Sequence, residues 1–232
     1  MSKTKLDYEE DDLGILSNKL EVYKEQYVST RYRVFIDEGI TDPSYYRDVL
    51  NVLASAKEED VVEFRLNTGG GQLRSALPIM NAITSTEART IAVVEGLVAS
   101  AGTFILLACD DVIIKPLSGA MVHAPRFGAL GTMQEMKTSL DYDLPYCRRV
   151  CEEIYAGFLL PEEIIAMVED SKEYYMDEEE LLDRLKKRQK YQEDAMAEMI
   201  AAQEKATLPP KKPAAKKRPT RKTTKPSTKK GS

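Results

Sequence analysis

The sequence predicts an α/β fold with a mostly parallel sheet, because short strand-like runs alternate with helical segments along its 232 residues. Four apolar runs have the length of buried strands and end at turn residues. The first three are followed by segments in which apolar residues recur at helical spacing. Parallel strands joined through helices by right-handed crossovers account for this order.

The first half of the chain contains the predicted sheet. Strands are expected at residues 32–36, 61–66, 90–94, 111–115 and 120–123. Helices are expected at residues 46–53, 73–84 and 103–109. Thr41 or Asp42, just before Pro43, gives a helix-start signal for the first of them. The third strand is expected to stop at Glu95-Gly96.

The second half is predicted to be helical. A long helical pattern covers residues 131–159 and is expected to be interrupted at Pro145, and a further helix covers 161–168. Asp177 is a helix N-cap, and Glu178-Glu179-Glu180 place negative charge in the first turn, which suits the positive helix terminus. This last helix is expected to run on toward Ala202.

Composition excludes several classes of protein. With 43% hydrophobic residues the 26.1 kDa chain can bury a core, but it has no apolar run long enough to cross a bilayer, and its start lacks the apolar stretch of a signal peptide. Cys109, Cys147 and Cys151 form no metal-type cluster and are expected to be reduced thiols. We therefore expect a cytoplasmic protein without a membrane partner, a metal site or a cofactor.

The net charge of -5 hides an asymmetry between body and tail. Eleven of the 33 Lys and Arg residues, and none of the 38 acidic residues, lie in 205–232, which leaves a net charge of -16 for 1–204. We predict an acidic N-terminal arm (1–30), one folded domain (31–204) and a disordered Lys/Pro-rich tail (205–232). Residues 206–232 would contact nucleic acid or another polyanion, solubilise the chain, or tether it to acidic neighbouring subunits.

Three loops that follow strands contain residues suited to one active site. The carboxyl ends of parallel strands share one sheet edge, so these loops are expected to meet there. Gly69-Gly70-Gly71 leaves backbone N–H groups free to face an anion. Ser100 lies between a strand and an apolar helix, as a nucleophile does in a strand-to-helix turn. His123, the only histidine, is the usual partner for activating a serine hydroxyl.

Each of these features taken singly is common in proteins without catalysis. A glycine run is usually a turn, a serine at a helix start is usually an N-cap, and a lone histidine at a strand end is usually structural. A third residue should orient the imidazole. Spacing alone does not choose among the downstream acids Glu169, Asp170, Glu173 and Asp177.

In their order along the chain, these motifs resemble those of the ClpP family of serine peptidases. Thr68-Gly69-Gly70-Gly71 is similar to that family's Ser-Pro-Gly-Gly oxyanion loop and lies at the family's ungapped distance from Ala99-Ser100-Ala101, which matches the nucleophile turn. Met121-Val122-His123-Ala124-Pro125 is similar to the Met-Ile-His-Gln-Pro segment of the catalytic histidine. The resemblance covers about residues 32–182 and implies ClpP/crotonase-like repeated ββα (βαβ) units with a helical handle.

The resemblance also implies roles for individual residues. Ser100 would be the nucleophile and His123 the general base and acid, with oxyanion donors at Gly71 and Ala101. Glu173 matches the position of the family's catalytic aspartate, and Asp170 is the reserve candidate. An extended polypeptide substrate would pair with the edges around the loops, at Gly70, Gln72, Leu73, Pro125, Arg126 and Phe127.

The assembly and partners implied are those of the family: a heptameric ring or a stacked pair of rings, built through residues 128–132 and the helix after them, and an AAA+ unfoldase that delivers substrate. Two departures are evident. Gly69 replaces the family's proline, and Asp183-Arg184-Leu185-Lys186-Lys187-Arg188 replaces the segment of the closing strand, which an extended helix would take over. These departures favour a divergent branch such as the ClpP-like peptidases of bacteriophages, some of which process head proteins.

Two other functions stay open at this point. A crotonase-like acyl-CoA enzyme has a similar fold and a backbone oxyanion hole, and it would not need Ser100 and His123 to act together. A catalytically silent ring protein could serve as a scaffold, with the basic tail as its binding segment.

Overall fold

A computed structural model describes residues 28–128 and 130–207 of the chain, with side chains of the last helix described as far as residue 203. These residues fall into two units, one that ends at Gln192 and one that begins at Glu193. In the second unit, the described residues 193–207 are helical. The predicted acidic arm, apart from residues 28–30, and the predicted tail beyond residue 207 lie outside the described residues, as does most of the proposed polyanion-binding segment 206–232.

Strands and helices alternate through the first half of the chain and helices dominate the second, as predicted. The strands are β1 (Arg31–Ile36), β2 (Val61–Thr68), β3 (Arg89–Ala99), β4 (Asp111–Ile114), β5 (Gly119–Val122) and β6 (Tyr174–Met176). The helices are α1 (Arg47–Ser55), α2 (Leu73–Ser85), α3 (Gly102–Ala108), α4 (Met133–Ile154), α5 (Pro161–Glu169) and α6 (Glu178–Thr207). None of these helices is both long and apolar enough to cross a membrane.

The sheet is mostly parallel, which confirms the predicted fold class. Its order is β1-β2-β3-β5-β6, and β4 pairs with the first half of β3. Every pair is parallel except β5 with β6, which is antiparallel. Asp42 caps the turn before α1 by accepting from the Ser44 amide at 3.0 Å, and Asp177 caps α6 by accepting from the Glu180 amide at 2.9 Å, as the sequence predicted.

The hydrophobic core lies between the sheet and its helices. Phe64 and Leu66 of β2 and Ile105 of α3 are fully buried. Tyr155 and Phe158, in the turn after α4, extend the same core. Burial of these large side chains is the main favourable contribution to folding, and it fixes the strand ends from which the loops emerge.

The prediction that the third strand stops at Glu95-Gly96 is wrong, because β3 continues to Ala99. The strand uses its first half to pair with β4 and residues 97–99 to pair with β5. Gly96 makes this continuation feasible, since a Cβ there would lie 2.4 Å from the side-chain oxygen of Asn67 on β2. A charged residue beside a glycine therefore marks a close approach between strands here rather than a strand end.

The predicted interruption at Pro145 is also wrong, because α4 runs without a break through this residue. Proline lacks the N–H that would bond the carbonyl of Asp141. Both Asp141 and Pro145 are exposed, so that carbonyl can be hydrated. The helix consequently continues at little cost.

The last helix extends to Thr207, beyond the predicted limit near Ala202, and no strand follows β6 in the described residues. Two arginines attach its first half to the body. Arg184 forms a two-pronged ion pair with Glu163 at 2.7 and 2.8 Å. Arg188 donates to the carbonyls of Ile154 at 2.5 Å, Ala156 at 3.0 Å and Leu107 at 3.4 Å. An extended helix thus takes the place of the closing strand.

We predict that Arg188→Met lowers the free energy of unfolding by about 2–3 kcal/mol, because it leaves buried carbonyl groups without a donor. The expected loss would be measured by denaturant titration. Lys187→Met is the matched control, since Lys187 forms an ion pair with Asp183 on the exposed side of the helix, and its loss should leave stability almost unchanged. Equal effects of the two substitutions would contradict this role of Arg188.

Candidate active site

The loops after β2, β3 and β5 meet at one edge of the sheet, as the parallel arrangement predicts. The loop after β2 contains the three glycines, the turn after β3 contains Ser100, and β5 is followed directly by His123. Residues 97–99 of β3 lie beside 119–121 of β5, so the two strands bring Ser100 and His123 to the same end of the sheet.

The glycine loop packs directly on the turn that holds Ser100. Gly70 has a φ of 87°, and a Cβ on it would lie 2.6 Å from the carbonyl oxygen of Ala99 and from Cβ of Ser100. Its carbonyl accepts from the Ile40 amide at 2.8 Å, which fixes the loop on its other side. A residue with a side chain would strain this backbone and push the two loops apart.

Ser100 adopts a left-handed backbone conformation with a φ of 53°. This conformation is uncommon for a residue other than glycine and is typical of a serine presented on a strand-to-helix turn. The Ser100 amide donates to the Met121 carbonyl at 2.8 Å, which ties the turn to β5. Backbone strain of this kind persists only where the surrounding contacts hold it, and it clusters at functional sites.

The buried hydroxyl groups of Thr103 and Tyr155 also hold the Ser100 turn in place. Thr103 donates from its amide and its hydroxyl to the Ser100 carbonyl, at 2.9 and 2.6 Å. Tyr155, which is 0% exposed, lies with its hydroxyl 2.9 Å from the Thr103 hydroxyl and must donate to it, because the Thr103 proton is already used. Sequence reasoning missed this pair, since no local pattern connects residues that are 52 positions apart.

Two backbone amides near Ser100 are those to which the family resemblance assigns the oxyanion. Within residues 28–128 and 130–207, neither the Gly71 amide nor the Ala101 amide donates to another protein group. The Gly70 amide, by contrast, donates to the Thr68 hydroxyl at 3.1 Å. The Gly71 and Ala101 amides are those that the family resemblance implies as oxyanion donors, and this role stays a prediction.

His123 is half-buried and directly follows β5. Burial is the main cause that lowers its pKa below the usual value, and the positive charge of Arg126 acts in the same direction. The charge of Glu173 and a hydrogen bond with the Ala124 backbone oppose the shift. The imidazole is consequently neutral near pH 7, which is the form that can accept a proton from a hydroxyl.

Glu173 lies opposite His123. The antiparallel register of β5 and β6 pairs Val122 with Tyr174, so the residue after Val122 faces the residue before Tyr174. Its carboxylate nevertheless has other partners. Arg126 Nη2 lies 2.8 Å from Oε1, and the Tyr175 hydroxyl donates to Oε2 at 3.1 Å. Among the described residues, no hydrogen bond joins His123 to Glu173 or to Ser100.

Asp170, the reserve candidate for the third residue, lies at the C-terminal end of α5 with its amide bonded to the Ala166 carbonyl. It is exposed, and Glu173 is the acid whose charge raises the pKa of His123. The structure thus brings Ser100, His123 and Glu173 to one sheet edge, and their catalytic roles stay predictions.

The two segments predicted to bind substrate differ in how far they are already bonded within the chain. Gln72 already donates its amide to the Ile40 carbonyl at 2.8 Å, and Leu73 is the first residue of α2, so the edge at Gly70, Gln72 and Leu73 is largely used within the chain. Residues Pro125, Arg126 and Phe127 lie in a segment without regular secondary structure, with exposed or half-exposed side chains and no strand paired with it in the described residues. This second edge offers the more accessible backbone.

A comparison with protein families places this fold in a known class. The family model described as Clp protease matches residues 18–183, more than half of the chain. The chain therefore belongs to the Clp protease family. None of the curated proteins compared with it matches the chain.

We predict that Gly70→Ala lowers the free energy of unfolding by about 2–4 kcal/mol, because a Cβ would combine a left-handed backbone with contacts at 2.6 Å. Gly69→Ala is the matched control: its Cβ would meet nothing within 4 Å, so stability should be unchanged or slightly higher. Thermal or denaturant unfolding of both variants measures the difference. A destabilised Gly69→Ala and an intact Gly70→Ala would contradict the packing described above.

Proposed function

We propose that the protein is a serine endopeptidase that cleaves polypeptides through an acyl-enzyme. Ser100 is the nucleophile, His123 the general base and acid, and Glu173 the carboxylate that orients the imidazole. The observation that supports this proposal most directly is the left-handed turn at Ser100, flanked by the unpaired amides of Gly71 and Ala101. Membership of the Clp protease family supports the same reaction class.

Acylation begins when the Ser100 hydroxyl oxygen attacks the carbonyl carbon of the peptide and the neutral imidazole of His123 takes the hydroxyl proton. The carbonyl oxygen becomes an oxyanion between the Gly71 and Ala101 amides, and one such donor is worth about 3–4 kcal/mol of barrier in serine peptidases. The C–N bond then breaks, and His123 passes its proton to the leaving amine. The acyl group stays on Ser100.

Deacylation repeats these steps with water. His123 takes a proton from a water molecule as the water oxygen attacks the acyl carbon, and the same amides stabilise the second oxyanion. Collapse of this intermediate breaks the bond to Ser100, which regains its proton from His123. Serine and imidazole both return to their starting state, so the reaction needs no co-reactant beyond water.

The bond from Ser100 to His123, absent in the substrate-free geometry, would form as the peptide enters, because catalytic hydrogen bonds are often long or poorly aligned in a free site and tighten in the complex. The accessible edge at 125–127 would hold the substrate as an added strand. An acyl-CoA enzyme and a silent scaffold are the competing functions, and the left-handed turn at Ser100 favours the peptidase over both.

Labelling by a fluorophosphonate probe tests the proposal. The wild-type protein should be labelled on Ser100, and Ser100→Ala should abolish labelling, because the probe reacts only with an activated serine. Ser171→Ala is the matched control, since Ser171 has a similar left-handed backbone, with a φ of 56°, but follows helix α5 instead of a parallel strand of the sheet. An unlabelled wild-type sample that is folded and assembled would overturn the peptidase proposal.

We also propose that α4 joins copies of this chain, as the resemblance to ring-forming peptidases implies. Only the last turns of α4 are buried in its own chain. Met133, Leu140 and Leu144 are 85%, 42% and 58% exposed, and together with half-buried Met136 they form an apolar stripe that continues the buried positions of the helix. A heptamer or double heptamer would cover this stripe.

Substitution of Leu140 and Leu144 together by Glu should shift the protein to smaller species, because the charges would have to be buried in the contact. Mass photometry or sedimentation velocity measures the size. Thr138→Glu adds a charge to the opposite, exposed face of α4 and should leave the assembly intact. A double variant that keeps the wild-type size would exclude this surface as the contact.

Further parts of the proposal rest on the family alone. A Clp-type AAA+ unfoldase would deliver unfolded chains, or phage head proteins would be the substrate. A cytoplasmic location and polyanion binding by residues 206–232 stay predictions from the sequence.

A further inference from the structure

The position of Arg126 beside the proposed site is not explained by the peptidase mechanism. Arg126 lies three residues after His123, on the accessible edge at 125–127. Its side chain is 77% exposed, and its guanidinium meets the Glu173 carboxylate at 2.8 Å. The residue that should orient the imidazole is therefore held by an arginine.

Both oxygens of Glu173 are engaged by groups other than His123. Arg126 bonds Oε1 and Tyr175 bonds Oε2, and among the described residues neither oxygen accepts a hydrogen bond from the imidazole. The charges of Arg126 and Glu173 nevertheless both act on His123, so the three groups lie within electrostatic reach of one another. A substrate that reaches His123 also reaches Arg126.

The contact between Arg126 and Glu173 is easily exchanged. Only Nη2 of the guanidinium bonds the carboxylate, and the Glu173 side chain is 34% exposed. Solvent-exposed ion pairs contribute little to stability. A two-pronged pair between arginine and a carboxylate is stronger and directional, so a second carboxylate presented face-on to Arg126 can replace Glu173.

We propose that Arg126 is a specificity-determining residue that selects polypeptides with an Asp or Glu side chain near the scissile bond, and that binding of this side chain releases Glu173 to orient His123. This inference rests on the proposed peptidase function. Neutral substrates leave Glu173 bound to Arg126 and are acylated slowly. Acidic substrates supply the exchange partner themselves and so complete the site.

Matched fluorogenic peptides test the substrate preference. The two peptides of a pair differ at one position, where one has Glu and the other has Gln. A separate pair is made for each of the three residues before the cleaved bond and each of the three after it. At one or more positions, the wild-type protein should cleave the Glu peptide with a kcat/KM about tenfold higher. Arg126→Gln should reduce the ratio to about one, because the neutral amide no longer distinguishes the two side chains.

Arg89→Gln is the matched control for this comparison. Arg89 is also an exposed arginine paired with one carboxylate, that of Asp111, at the opposite end of β3. The variant should keep the full preference for Glu peptides. Loss of the preference in Arg89→Gln as well would assign it to overall charge and overturn the role of Arg126.

Release of Glu173 has a separate readout with an uncharged fluorophosphonate probe. Arg126→Gln should be labelled faster than wild type, because its Glu173 keeps only the bond from Tyr175 and can turn its other oxygen toward His123. The gain should disappear in the double variant Arg126→Gln with Glu173→Gln, and it should persist in Arg126→Gln with Asp170→Asn. A gain independent of Glu173 would overturn the exchange mechanism.

The outcomes separate this inference from the function on which it rests. Cleavage that depends on Ser100 but is equal for Glu and Gln peptides at every position would overturn the role of Arg126 and leave the peptidase standing. A wild-type protein that neither cleaves peptides nor reacts with the probe would overturn both. Circular dichroism melting of each variant shows that the comparison is made on folded protein.

Discussion

The close packing of Gly70 on the Ser100 turn is the contact on which the rest of the site depends. The loop after β2 and the turn after β3 come so near that a single methyl group between them would lie 2.6 Å from two atoms. Gly70 also bonds Ile40 through its carbonyl, so the loop is held on both sides. Among the described residues, the neighbouring Gly71 and Ala101 amides have no hydrogen-bond acceptor, which is what the proposed oxyanion role requires of them.

The short strand β5 connects the nucleophile turn with the acid. Through Met121 it accepts the Ser100 amide, and its last residue leads directly to His123. On its other side it pairs antiparallel with β6, and a Cβ at Gly119 would lie 2.4 Å from the Met176 carbonyl, so the two backbones approach very closely. The four residues of β5 therefore hold Ser100, His123 and Glu173 near one another, although these three are far apart in the sequence.

The sequence predicted the parts of this arrangement that depend on local signals. Gly69-Gly70-Gly71, Ser100 and His123 each follow a strand, and the parallel sheet brings such loops to one edge. The strand β6 was not predicted, because three residues carry too little pattern. The pairs Thr103–Tyr155 and Arg126–Glu173 join residues 52 and 47 positions apart, and only the tertiary packing brings them together. The errors at Gly96 and Pro145 have the same origin, since the neighbours of each residue decide whether it ends an element.

The extended helix α6 also determines where the proposed acid lies. The strand β6 has only three residues and is the edge of the sheet, so its own hydrogen bonds fix it weakly. Asp177 ends the strand and caps α6, and Glu178 accepts from the Leu117 amide in the turn before β5. Arg184 and Arg188 then attach the helix to α5 and to the turn after α4. Glu173 is thus positioned from its C-terminal side by the helix α6, while its carboxylate is bonded by the side chains of Arg126 and Tyr175.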